Sequence, residues 1–280
     1  MSDQASQLRN LVKEKTDDKR IFAITSGKGG VGKSNIAVNL AVAFQLAGKN
    51  VLLVDADIGM ANVNVLLGRV TSRSLVELRH PRVKLWDVVE ETELGLKFVS
   101  GVAGLDTMLN TSDKDLAAIR KKITAPNNFV DIIIIDTGAS LNKFVIEFMT
   151  AAREVLLVTT SEPTALADAY EVVKAYEKYG DRKDIKLIVN RVREIKEWRE
   201  TADKLNQTTQ NFLNMDVQPL GYLYEDRAVH DAVLRQEPFL IRTPNSPASR
   251  CMKALAYALL NNVQMAEISK GWRNWFSFFN

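Results

Sequence analysis

A strand that runs straight into a glycine cluster, and out again into a helix, leaves this chain few folds to choose from. Arg20–Thr25 (RIFAIT) is β-branched and aromatic, the composition of a buried strand. Gly27-Lys28-Gly29-Gly30-Val31-Gly32-Lys33-Ser34 follows at once and fits the spacing G-x-x-x-x-G-K-[ST]. Glycines at this spacing let consecutive backbone N–H groups curl around phosphate oxygens without a Cβ in the way. NIAVNLAVAFQLAGK (35–49) then reads as a helix, apolar at Ile36, Leu40, Ala43, Phe44 and Ala47 and stopped by Gly48. The start of such a helix points partial positive charge at the same anion. Gly29, Gly30, Val31, Gly32, Lys33, Ser34 and Asn35 are therefore the expected nucleotide-phosphate contacts, with Lys33 on the β- and γ-phosphates and the Ser34 hydroxyl on Mg²⁺.

The rest of the chain repeats the alternation. VLLVDAD (51–57), LKFVS (96–100), VDIIIID (130–136), EVLLVTT (154–160), IKLIVN (185–190) and VQPLGYL (217–223) read as strands. DKDLAAIRKK (113–122), NKFVIEFMTAA (142–152), TALADAYEVVKAYEKYG (164–180) and TADKLNQTTQNFLN (201–214) read as helices. Continuous apolar strands alternating with helices predict an α/β fold: a doubly wound, mostly parallel sheet with helices on both faces. No Pro/Gly-rich linker divides it, so one body over 20–262 is expected, with end segments at 1–19 and 263–280.

Charge and cysteine content narrow the chemistry. The 280 residues carry 37 Lys and Arg against 34 Asp and Glu, a net +3 that argues against direct binding of DNA through phosphates. The signs alternate in NRVREIKEWRE, the pattern of a solvated helix face. A lone Cys251 within an apolar helical stretch reads as a small buried hydrophobe. One thiol cannot supply an iron–sulfur site or a disulfide framework. His80 and His230 have no partner cluster and are assigned no chemistry. A polar first twenty residues without an apolar core, and no apolar run near the ~18 residues of a spanning helix, predict a cytoplasmic protein.

A second lysine within the loop carries a more specific resemblance. KGGVGKS, with Lys28 ahead of Lys33, resembles the deviant Walker A motif of the MinD/ParA ATPases. The resemblance implies an ATP-bound homodimer in which Lys28 crosses to the phosphates of the other subunit, a catalytic cation supplied in trans. It also implies ATP and ADP as alternating ligands with Mg²⁺, and slow, switch-like hydrolysis. Asp55-Ala56-Asp57-Ile58-Gly59-Met60-Ala61-Asn62 resembles switch I of that family, which makes Asp57 the residue that positions or activates the attacking water. Asp55 would support the magnesium shell, and Asp136, in a segment like Walker B running into switch II, would hold the ion directly or through water. Asn190 and Arg191 fall where these ATPases read adenine with an asparagine amide, although an ordinary strand-end turn fits the same residues. The resemblance covers about residues 20–240; Asn35 stands where a Thr is frequent and Ser140 where a Gly is.

Both ends of the chain narrow the branch. Five of 21 aromatic residues fall in the last nine positions. Ile268, Trp272, Trp275, Phe276 and Phe279 recur at helical spacing, opposite Lys270 and Arg273, as in a helix lying in a membrane interface. A helix docked on the body, or one that binds a partner, has the same pattern. At the other end, Asp3, Gln4, Ala5, Leu8 and Arg9 resemble the D-Q-A-x-x-L-R element of the FlhG (FleN) family of flagellar-number regulators. In that family the element is a short helix that stimulates an FlhF-type GTPase of the signal-recognition-particle class. The resemblance further implies a flagellar C-ring component and a flagellar transcription activator as partners. It implies reversible attachment to the inner (cytoplasmic) membrane surface, with the cell pole as a candidate place. Two other tasks fit the same chemistry: a MinD- or ParA-like ATPase that positions a division site or cargo, and a low-turnover, nucleotide-dependent repressor that sequesters an activator.

Overall fold

The computed structural model describes residues 19–58, 62–101, 110–125, 129–139, 141–179 and 184–265. The expected partner-activating element around Asp3–Arg9 and the aromatic stripe Ile268–Phe279 lie outside these residues, as does Ser140.

Strands β1 (Arg20–Thr25), β2 (Val51–Ala56), β3 (Glu90–Glu91), β4 (Lys97–Val99), β5 (Ile132–Thr137), β6 (Glu154–Thr159), β7 (Ile185–Val192) and β8 (Val217–Tyr224) form one sheet in the order β3-β4-β2-β5-β1-β6-β7-β8. Only the β3–β4 pair is antiparallel; every other pairing is parallel. Between β1 and β2 lies α1 (Lys33–Leu46), and α2 (Val63–Leu66) follows β2. The order continues with α3 (Asp113–Thr124), α4 (Lys143–Ala151), α5 (Pro163–Tyr179), α6 (Ile195–Leu213), α7 (Arg227–Leu234), α8 (Phe239–Arg242) and α9 (Pro247–Asn261).

Both faces of the sheet are covered, so the strands read as unbroken apolar runs. Along β1 the side chains alternate: Ile21 and Ala23 join an apolar layer with α3, α4, α5 and α6. Phe22 and Ile24 join a second layer with α1, α8 and α9. There Phe22 stacks on Phe44 of α1 with ring centroids 5.7 Å apart. Cys251 is buried in this second layer, and burial pushes its thiol up to about 11, as suits a small hydrophobe rather than a nucleophile.

Most boundaries shift from the sequence reading by one or two residues, and two differences are larger. The helix expected to begin at Thr201 begins at Ile195, because Trp198 turns inward from a stretch whose alternating charges masked it. A two-residue edge strand, β3, closes the sheet beyond β4, too short to leave a periodic signal.

The winding sets the site. From β1 the chain crosses outward to β2 and works back to β5, then steps over β1 to β6, so the chain reverses direction across the sheet at β1. The crevice at the carboxyl edge of such a switch point is where open α/β sheets take their ligands. The glycine cluster leaves β1 there.

Candidate phosphate and nucleotide site

Three adjacent strands end together at this edge. β1 and β2 both flank β5, and their registers set Ile24 and Asp55 beside Asp136. Two carboxylates thus lie next to each other at the end of a buried sheet, both fully buried. Lys33, at the first turn of α1, answers them: its Nζ donates to Asp136 Oδ1 at 2.7 Å. Asp136 Oδ2 is buried without a hydrogen-bond partner.

Asp55 is satisfied otherwise. Its Oδ1 accepts the Asp57 N–H at 3.1 Å and its Oδ2 the Val63 N–H at 3.0 Å. It therefore clamps both ends of the segment between β2 and α2. Burial, reinforced by the charge of Asp136, raises its pKa to about 8 against the pull of these two bonds. Asp57 is only half-buried and sits beside Gly138. Burial raises its pKa too, with Lys33 opposing and Asp136 adding to the rise.

The loop itself is fixed from outside. Gly27 lies against α5, where a Cβ would come within 2.1 Å of the Asp168 carbonyl oxygen. Gly32 has φ +94°, and a Cβ there would meet Asn190 Nδ2 at 2.2 Å. A side chain at the first place would have to move the backbone of α5, and at the second it would be strained by the positive φ and would displace the Asn190 amide. Asn190 donates from Nδ2 to the Val31 carbonyl at 2.7 Å, and Arg191 from Nη2 to the Gly30 carbonyl at 2.9 Å. The two residues expected to read adenine thus both bond to the loop in this structure.

Lys28 is set apart from Lys33. Its ammonium lies 2.8 Å from Glu162 Oε2 and 2.8 Å from Thr164 Oγ1, at the start of α5, in a half-open position. Lys28 holds the Glu162 carboxyl below its ordinary range. Glu162 and Thr164 were not singled out in the sequence. The available signal was a carboxylate before Pro163 at the first position of a helix, on the edge where the other strands end.

Lys33, Ser34, Asp55, Asp57 and Asp136 are thus held on one edge by β1, β2, β5 and α1. The residues present fit a magnesium ion: an orphaned buried carboxylate oxygen on Asp136 is a ligand or water-ligand position without a protein donor. A strand–glycine loop–helix unit with an ion-paired lysine and carboxylates on neighbouring strands defines a P-loop nucleotide-binding α/β protein. The family described as CobQ/CobB/MinD/ParA nucleotide binding domain matches residues 22–239. The chain belongs to this family, as a MinD/ParA ATPase of the FlhG (FleN) type.

Relatives and solved structures agree. The chain is 35% identical over 237 residues to the antiactivator FleN of Pseudomonas aeruginosa, covering 85% of each chain. It is 32% identical over 274 residues to the flagellum site-determining protein YlxH of Helicobacter pylori, covering 94% of this chain and 92% of that one. The fold matches the septum site-determining protein MinD from Pyrococcus horikoshii, solved in complex with Mg-ADP, at a TM-score of 0.73 and 27% identity. That match covers 86% of this chain and 96% of the other.

Proposed function

We propose that this chain is a switch ATPase whose Mg-ATP-bound form is a homodimer and whose cycle regulates flagellar number or placement. The observation that supports it is the separation of the two loop lysines. Lys33 is buried on Asp136, while Lys28 is held outside the loop by Glu162 and Thr164. A lysine outside the cradle of its own subunit can serve a neighbour's phosphates, where it stabilises charge as the γ-phosphoryl leaves.

Within one subunit, the backbone of Gly29–Asn35 binds the phosphates and Lys33 neutralises them. Ser34, Asp136 and the Asp55 shell would hold Mg²⁺, which would supply neutralisation of phosphate charge. Asp57 orients the attacking water. It is the one of the three aspartates at this edge that is only half-buried, so water reaches it where Asp55 and Asp136 are closed off. Turnover is slow, because the bound state rather than the product is the output.

The flagellar task is carried over from the relatives named antiactivator FleN and flagellum site-determining protein YlxH. In this reading residues 1–19 stimulate an FlhF-type GTPase, with Asp3, Gln4, Ala5, Leu8 and Arg9 at the contact. A flagellar C-ring component and a transcription activator are further partners. Residues 263–280 attach the dimer reversibly to the cytoplasmic membrane through Ile268, Trp272, Trp275, Phe276 and Phe279. No helix among the described residues is long and apolar enough to cross a membrane. Deleting the gene tests the assignment: altered flagellar number or position is expected. Normal flagella with misplaced division septa would contradict it and favour a MinD-like task.

A further inference from the structure

The tip of β7 is irregular in a way that bears on the phosphate loop. Its ladder to β8 steps from Val189↔Tyr222 to Val192↔Tyr224, so β7 spends one residue more than its partner. This bulge frees Asn190 and Arg191 from the ladder, and Arg191 takes a left-handed backbone conformation at φ +58°. A non-glycine residue in that region carries strain that the surroundings must offset. What the strain achieves is aim. Two adjacent side chains reach two consecutive loop carbonyls, Arg191 that of Gly30 and Asn190 that of Val31.

In a planar trans peptide the carbonyl of one residue and the N–H of the next point in opposite directions. Holding the Gly30 carbonyl toward Arg191 therefore turns the Val31 N–H away from it. Holding the Val31 carbonyl toward Asn190 does the same for the Gly32 N–H. These are N–H groups that the loop presents to phosphate. The absent Cβ of Gly32 is what lets Asn190 come this close.

We propose that Arg191 is a positioning residue that shapes the phosphate cradle through the loop backbone, and that its effect on nucleotide affinity does not depend on the base. The inference rests on the assignment of Gly27–Ser34 as the nucleotide site. Arg191 is exposed, so its replacement leaves the core intact. Two variants serve: Arg191→Ala, and Arg191→Gly, which removes the guanidinium and also relieves the left-handed backbone.

Calorimetric titration with Mg-ATP and with Mg-tripolyphosphate, which has no base, is the test. Both variants should weaken both ligands by the same factor, about tenfold for loss of one charge-assisted hydrogen bond. Arg191→Gly should do so while keeping or raising the melting temperature of the nucleotide-free protein, which general destabilisation would not produce. In the nucleotide-free protein, amide relaxation should show the Val31 and Gly32 N–H groups more mobile in either variant than in the wild type. A loss for ATP with tripolyphosphate unchanged would make Arg191 a base reader and overturn the proposal. Unchanged binding of both ligands would also overturn it, as would weakened binding with an equally ordered loop, which would mean direct contact with phosphate. A wild-type protein that binds neither ligand would instead remove the nucleotide-site assignment itself.

Discussion

Single residues at the site divide by what surrounds their charge. Lys33 and Lys28 are five positions apart in one loop, yet one ammonium is buried on a buried carboxylate and the other rests half-open on Glu162 and Thr164. The first is a fixed part of the cradle; the second is held by a surface pair that solvent screens and a competing phosphate can displace. Asp55 shows the same logic for an acid. An aspartate in an unfolded chain titrates near about 3.9, whereas folded Asp55 is raised to about 8. Between those values the native state keeps a proton that the unfolded state has lost. The stability contributed by neutral Asp55 is therefore complete below about pH 4 and is lost as pH rises to about 8. Melting curves of protein free of nucleotide and magnesium should show a Tm that falls over this range. Asp55→Asn should flatten the fall; an unchanged slope would place the titration elsewhere.

At the scale of elements, the edge of the sheet is tied together by a few capping carboxylates. Asp226 accepts the Ala228 N–H at 2.9 Å to cap α7 and, through its other oxygen, the Ala248 N–H at 3.0 Å at the start of α9. Asp226→Ala removes a cap and a cross-helix bond at once and should cost about 2 kcal/mol. Thermal unfolding should report this as a Tm lowered by roughly 5 °C; no change would mean that water replaces both bonds. Elements with strong periodicity were legible in the sequence: β1, β5 and β6 ran as continuous apolar strands, and α1 ended at Gly48. The strand–glycine loop–helix unit was legible as well, because the spacing of its glycines is dictated by local backbone chemistry. The partners of Lys28 and the bulge at Arg191 were not. Glu162, Thr164 and Gly30 meet these residues only after distant strands are brought to one edge, and a positive φ at an arginine leaves no compositional trace.

Over the whole molecule, the topology gathers the candidate phosphate-site residues on one side. β1, β2, β5, β6 and β7 each end at the same carboxyl edge, where Lys33, Asp57, Asp136, Glu162 and Arg191 lie. At the opposite edge Arg20, at the start of β1, bonds to Glu154 and to the Leu259 carbonyl and Asn262 Oδ1 at the end of α9. The two edges are separated by the length of the strands, so a signal from one to the other needs a change in the whole particle. Association of two copies through the nucleotide edge is such a change. The direct test is the mass of the protein in solution by multi-angle light scattering, with Mg-ATP and with Mg-ADP. Wild type should double its mass with ATP and not with ADP, while Lys28→Ala binds ATP and stays a monomer. An ATP dimer that persists in Lys28→Ala, or a wild-type mass that is the same with either nucleotide, would contradict the account.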